Sequence, residues 1–141
     1  AYTAARLAAG VITFDQVGRE LPAEVVTIPH DAARFEDGVV YGNIQTDDGN
    51  YGNLWTNVDR ATFDRLGVAR GDRVEVRILN DGKEVLKLTV PYAATFGEVA
   101  VGQPLLYLNS LDSVSLAINQ SNFARHFGIG SGPAWSLQIR H

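Results

Sequence analysis

The strongest constraint on the fold is a run of two-residue alternation that turns back on itself. Val74-Glu75-Val76-Arg77-Ile78 puts its apolar residues on one face, as a half-buried strand does. Asn80-Asp81-Gly82-Lys83 follows, and Asp-Gly readily takes the positive φ of a tight hairpin turn. Val85, Leu86, Leu88 and Val90 carry a return strand to Pro91. Leu105 to Asn109 and Val114 to Asn119 make a second pair around Ser110 to Ser113, and Trp135 to Ile139 is a last alternating strand. Two short helices interrupt the pattern, near Arg60 to Leu66 and near Ser121 to Phe127. Each is followed by similar text, Leu66-Gly67-Val68-x-x-Gly71 and Phe127-Gly128-Ile129-x-x-Gly132, and then by an alternating strand. This is an internal repeat of helix, glycine cap, turn and strand. The expectation is a mainly β domain over residues 38–141, a small antiparallel β-barrel with two short helices, closed by the two equivalent strands.

Residues 1–37 read differently. Ala1 to Ala9 is Ala-rich and helical in character. Thr13-Phe14-Asp15-Gln16 fits a capping box, after which Phe14, Val17 and Leu21 share one face of a short helix stopped by Pro22. Val25 to Ile28 is a short apolar run closed by Pro29, and Arg34 to Gly38 reads as a linker, with a boundary near Gly38.

Composition removes several classes of function. Twelve Lys and Arg against sixteen Asp and Glu leave a net charge of −4, the wrong balance for gripping phosphates, so nucleic acid is not the expected partner. Cysteine is absent, which excludes disulfides, thiolate metal sites and cysteine nucleophiles. His30, His126 and His141 lack ligand spacing, so no metal is expected. No apolar run approaches the roughly 18 residues of a membrane span and no secretory signal opens the chain, so the expectation is a cytoplasmic protein with no membrane partner. With no methionine anywhere, Ala1 reads as a cleaved or trimmed start. Gly128-Ile129-Gly130-Ser131-Gly132 is not a dinucleotide fingerprint, because a strand follows it and the third glycine is misplaced. No serine elbow and no paired-carboxylate arrangement is evident.

Three stretches stand apart. Thr46 to Asn57 holds two Asp, three Asn, two Gly and two large aromatics between flanking strands. It reads either as a solvated turn with aromatics tucked into the core or as a ligand site. Aromatic faces stack flat heterocycles, Asn offers donor and acceptor together, and Asp fixes an ammonium. The second stretch runs from Thr95-Phe96-Gly97-Glu98-Val99 to Gly102-Gln103-Pro104-Leu105 and on to Asn109-Ser110. The third is Ala117 to Phe123, where Asn119 to Asn122 lies between a strand and a helix. There, Asn119 or Ser121 either caps the helix or presents polar groups to a ligand.

These stretches resemble the S-adenosyl-L-methionine (SAM) hydrolases, also called SAM hydroxide adenosyltransferases, and the related chlorinases and fluorinases. The resemblance rests on Tyr51-Gly52-Asn53-Leu54-Trp55-Thr56-Asn57, on Thr95 to Val99 with Gly102 to Leu105, and on Asn109-Ser110 followed by Ala117-Ile118-Asn119-Gln120. It implies that this chain is a C-terminal β-barrel half, preceded in residues 1–37 by the helical tail of an N-terminal α/β domain and its linker. It also implies a homotrimer whose site lies between the N-terminal domain of one subunit and the barrel of its neighbour.

By the same resemblance SAM is the substrate and no cofactor is needed. Asp48 would hold the methionine ammonium. Tyr51 and Phe96 would flank the purine, and Asn53 would read its edge. Trp55 would line the methionine end and Ser110 the carboxylate. The backbone around Asn119 and Gln120 would meet the exocyclic amine or a ring nitrogen of adenine. Leu111 stands where halogenase-type relatives carry Arg, which leans the reading toward the hydrolase branch, with halide transfer or a non-catalytic nucleoside-binding barrel as alternatives. No catalytic residue is expected on this chain, because the nucleophile pocket of the family belongs to the N-terminal domain.

Overall fold

The computed structural model describes residues 1–27 and 31–141, so the end of the Val25 to Ile28 run, with Pro29 and His30, lies outside the described residues. The strands are β1 (Arg34–Glu36), β2 (Val39–Asp47), β3 (Leu54–Asp59), β4 (Arg73–Asn80), β5 (Lys83–Pro91), β6 (Pro104–Leu108), β7 (Ser113–Ile118) and β8 (Trp135–Arg140). The α-helices are α1 (Tyr2–Ala8), α2 (Arg60–Asp64) and α3 (Phe123–Phe127). They lie where the sequence places helices, the latter two each shortened at one end.

The expected Asp-Gly turn forms at Asp81-Gly82, with φ of 48° and 75°, and joins β4 to β5. The same geometry recurs at Asp37-Gly38, with φ of 48° and 76°. It folds β1 back on β2 with Glu36 opposite Val39. Arg34 to Glu36 is therefore a strand rather than a linker. Three residues are too few for alternation to show, and the turn dipeptide was the signal.

The sheet runs β5-β4-β8-β2-β3-β7-β6, with β1 added to β2, and every strand pair is antiparallel. Its two ends approach each other. Tyr92, just beyond β5, bridges Leu106 of β6, and the Ala93 N–H donates to the Leu106 carbonyl at 2.9 Å. The result is a nearly closed barrel. The repeat places β4 beside β8, Val76 opposite Ile139 and Ile78 opposite Leu137. These equivalent strands are neighbours within the sheet and do not close the barrel as the repeat suggests; the seam lies between β5 and β6, because the chain after β5 is what reaches Leu106. Gly67 and Gly128, with φ of 67° and 66°, end the two helical units alike.

Core residues come in cross-strand rows. Val40, Ile139 and Val76 are adjacent and fully buried, and Leu54, Leu116 and Leu106 form a second such row. Each fully buried side chain of this size contributes about 1.5–3 kcal/mol. Gly42 lies between these layers; a Cβ there would meet Val58 and Asn57 side-chain atoms at 2.4 and 2.7 Å.

The helix expected from Phe14 to Leu21 does not form. The capping interaction is present, with the Thr13 N–H donating to Gln16 Oε1 at 3.0 Å, but the helix is a single 3₁₀ turn over Phe14–Gln16. Short helices need a packed face to persist, and Phe14 and Leu21 are 83% and 72% exposed.

Candidate functional site

Strand β7 explains where the site sits. In Ser113-Val114-Ser115-Leu116-Ala117-Ile118, the large residues Val114, Leu116 and Ile118 alternate with the small residues Ser115 and Ala117. The large set faces the barrel interior. The small set shares the outer face with its cross-strand partners Trp55, Tyr107 and Leu105. Ser115, Ala117 and Leu105 are fully buried even so, because the segment from Ala93 to Gln103 folds over that face. Between this segment and the β2–β3 loop lies a cavity of about 600 Å³ on the outer wall of the barrel.

All eight residues singled out from the sequence line this one cavity: Asp48, Tyr51, Asn53, Trp55, Phe96, Ser110, Asn119 and Gln120. Tyr107, Asn109, Ile118 and Ser121 complete the lining.

The β2–β3 loop is a tight turn. The Asp48 N–H donates to the Asn53 carbonyl at 2.8 Å, and the Asp48 carbonyl accepts from the N–H groups of Tyr51 and Gly52. Gly52 has φ of +71°, and a Cβ there would overlap the Asn122 side chain at 2.0–2.2 Å. Asn122 is itself the cap of α3, its Oδ1 accepting from the Arg125 N–H at 2.6 Å, and the Ala124 N–H donates to the Gly52 carbonyl. The glycine lets the loop seat against the helix start. Register shifts in β2 and β3 beside this loop re-aim the side chains there. Tyr51 is left 69% exposed, whereas Asn53 is buried. The side-chain amides of Asn57, Asn109, Asn119 and Asn122 each bond the protein. That of Asn53 has no partner among the described residues and faces the cavity. The Trp55 indole N–H is likewise buried without a partner among them.

Phe96 stands on a short turn tied by Glu98, whose carboxylate accepts from the N–H groups of Ala94 and Thr95 at 3.1 Å. Its ring packs on Tyr107 at 5.1 Å, tilted by 53°. Tyr107 lies within the second stretch marked in the sequence, but no site role is assigned to it there. Burial, chiefly, pushes its phenol above the ordinary tyrosine range, with the Asp48 charge adding to the effect and a bond to Ser115 opposing it. Asn109 was also missed as a lining residue. Its Nδ2 donates to Ser115 Oγ at 3.0 Å, while its Oδ1 accepts from Leu111 and Ser113 N–H. It thus shapes the turn that presents Ser110. Arg60 clamps the same turn through a two-pronged pair with Asp112, Nε lying 2.8 Å from both carboxylate oxygens.

Asn119 also ties the structure together. Its N–H donates to the Gln103 carbonyl, its carbonyl accepts from Gly102, and its Nδ2 donates to the Val99 carbonyl at 2.8 Å. It fastens the covering segment to β7, and its neighbour Gln120, at the cavity, has no backbone hydrogen bond among the described residues. Gln120 has φ of +56°, an uncommon conformation for a residue of this type that tends to accompany functional sites. The helix cap is Asn122, not Asn119 or Ser121. Among the described residues no three His, Asp or Glu side chains converge as metal ligands do, and no helix is long and apolar enough to cross a membrane.

Residues 42–136 match the family described as the SAM hydroxide adenosyltransferase C-terminal domain. The fluorinase of Actinoplanes sp. (strain N902-109) is 32% identical over 135 residues, 94% of this chain and 44% of that protein. The fluorinase of Nocardia brasiliensis is 33% identical over 142 residues, 99% of this chain and 46% of that protein. The chain therefore spans less than half the length of these relatives. Among solved structures, an uncharacterised conserved protein from Thermotoga maritima superposes with a TM-score of 0.72 at 25% identity, covering 98% of this chain and 49% of that one. A conserved hypothetical protein from Thermus thermophilus gives 0.51 at 28% identity, covering 97% and 48%.

Proposed function

Since this chain belongs to the SAM hydroxide adenosyltransferase C-terminal domain family, we propose that it is the substrate-gripping half of an enzyme that cleaves SAM with water to adenosine and methionine. The observation that carries the reading is the convergence on one cavity, beside the Asp48 carboxylate, of Tyr51, Phe96 and the largely buried Asn53, whose amide has no partner among the described residues. Two rings offer faces to a purine, with stacking worth about 1–3 kcal/mol per base. The Asn53 amide supplies the donor and acceptor that an adenine edge requires. Asp48 meets the methionine ammonium, Trp55 lines the methionine end, and Ser110 faces the carboxylate.

The chemistry suits such a division. A sulfonium leaves without acid assistance, so the reaction needs an aligned nucleophile at the ribose C5′, partly stripped of water. The water oxygen forms the new C5′–O bond while the C5′–S pair departs with sulfur, and the water proton is lost. In this reading the barrel supplies position only. The nucleophile pocket comes from an N-terminal α/β domain, across a subunit boundary in a homotrimer. The experiment is incubation of the full-length protein with SAM in chloride buffer and in halide-free buffer. Adenosine in both is the expected result. A 5′-halo-5′-deoxyadenosine would establish the halogenase reading, which the fluorinase relatives favour. Adenosine binding without turnover would leave a nucleoside-binding barrel.

A further inference from the structure

Two separate things hold Phe96 in the cavity wall: the backbone of its turn and the packing of its ring. The turn is fixed by the Glu98 carboxylate, which accepts from the Ala94 and Thr95 N–H groups, and by Asn119 Nδ2, which donates to the Val99 carbonyl. The ring is 39% exposed, and an unsupported aromatic side chain has more than one staggered χ1 well open to it. What meets the ring is Tyr107 of β6, 5.1 Å away between centroids and tilted by 53°. Tyr107 is itself held in place. Its ring packs on the cluster of Ala93, Leu105 and Ala117. Its cross-strand partner is the fully buried Ser115, whose Oγ accepts from Asn109 Nδ2 at 3.0 Å. We propose that Tyr107 is a positioning residue for the purine: it holds the Phe96 ring at the angle at which its open face receives the base. The inference rests on the SAM-cleaving reading above and adds to it a residue that reading leaves without a role.

The tilt separates the roles of the two rings. Flat groups stack when their planes are nearly parallel and offset. A base parallel to Phe96 stands at 53° to Tyr107, so Tyr107 is not a second platform for the same base. Its effect on the ligand passes through the population of one Phe96 rotamer. A ring that samples other rotamers receives a base only for the fraction of time it is correctly placed, and the apparent affinity falls by that fraction. An aromatic pair at this separation biases such an equilibrium by about two- to twelvefold. Every contact in this chain of support lies within one subunit, in β6, β7 and the segment that covers them, and is independent of what closes the cavity from outside.

The test is a double-mutant cycle on the full-length protein, with adenosine as the probe and its Kd read by calorimetry. Tyr107→Leu should weaken adenosine binding about three- to tenfold in the wild-type background. In a Phe96→Ala background it should cost less than about twofold, because a residue acting through the ring has nothing to act on once the ring is gone. Tyr107→Phe keeps the ring and should stay within about twofold of the wild type. Tyr107→Met, flexible and of similar size, carries the same expectation as Tyr107→Leu and replaces it if the leucine variant does not fold. Equal losses in both Phe96 backgrounds would mean that Tyr107 touches the base itself. A loss in Tyr107→Phe as large as in Tyr107→Leu would move the role to the hydroxyl. Either result overturns the inference, as does an unchanged Kd in Tyr107→Leu. If Phe96→Ala binds adenosine like the wild type, the stacking in the functional reading fails as well; if Phe96→Ala loses affinity and Tyr107→Leu does not, only this inference fails.

Discussion

Replacing Gly52 by Ala tests how the candidate site is held. The residue has φ of +71°, and the added methyl group would overlap the Asn122 side chain at 2.0–2.2 Å. The left-handed backbone costs a non-glycine residue about 1–2 kcal/mol. Displacing Asn122 removes the cap on the Arg125 N–H, typically ~1 kcal/mol. Together these amount to roughly 2–3 kcal/mol, or about 6–9 °C in Tm at ~3 °C per kcal/mol for a chain of this size. The assay is thermal unfolding of Gly52→Ala, Asn122→Ala and the double variant. Asn122→Ala alone should lose about 1 kcal/mol. The double variant should be less destabilised than the sum of the singles, because the clash is relieved and the cap can be lost only once. Strict additivity, or a Gly52→Ala change within about 0.5 kcal/mol, the range of an ordinary surface substitution, would refute the account of this contact.

Three further outcomes follow from the site. Asn53→Ala should weaken adenosine binding to the full-length protein by about 1–3 kcal/mol, read by calorimetry; unchanged affinity rules out the amide as the base-reading group. Phe96→Ala should cost a comparable ~1–3 kcal/mol of stacking, while Phe96→Tyr retains most of the affinity; equal losses in both would remove stacking as the cause. The Asp112 carboxyl is held below the usual carboxylate range chiefly by its hydrogen bond with Arg60. A lowered folded-state value gives stability that is present above the ordinary value of about 3.9 and lost as pH falls through the folded value. Asp112→Asn should therefore lower stability at neutral pH and flatten the acid limb of a stability–pH curve. A limb of unchanged slope would show that the pair contributes nothing to it.

Much of the architecture was legible because period-two patterning and glycine placement act locally. The β4–β5 hairpin follows from alternation and Asp81-Gly82 alone. The equivalent turn at Asp37-Gly38 escaped notice because β1 is only three residues long and its pairing is decided by β2. The false helix after Thr13 shows the reverse failure: a start signal and an apolar spacing were present, but no surface among the described residues packs against Phe14 or Leu21. At the site, the family-like blocks marked residues that do share one cavity. Tyr107 and Asn109 fall in a marked stretch but carry no assigned role, because Tyr107 reads equally well as a surface residue of an alternating strand and Asn109 as a turn residue. Only the segment from Ala93 to Gln103, folding over the outer wall, turns that face inward. Sequence shows an amide beside a helix start at Asn119, but not that its backbone and Nδ2 bond Val99, Gly102 and Gln103.

The cavity lies outside the barrel wall, against Trp55 and Tyr107, while the lumen is filled by Val, Ile and Leu rows. Packing and the candidate site thus fall largely on opposite faces of the same strands, with Ile118 common to both. A change in the lumen away from Ile118 reaches the candidate site only through the backbone of the wall.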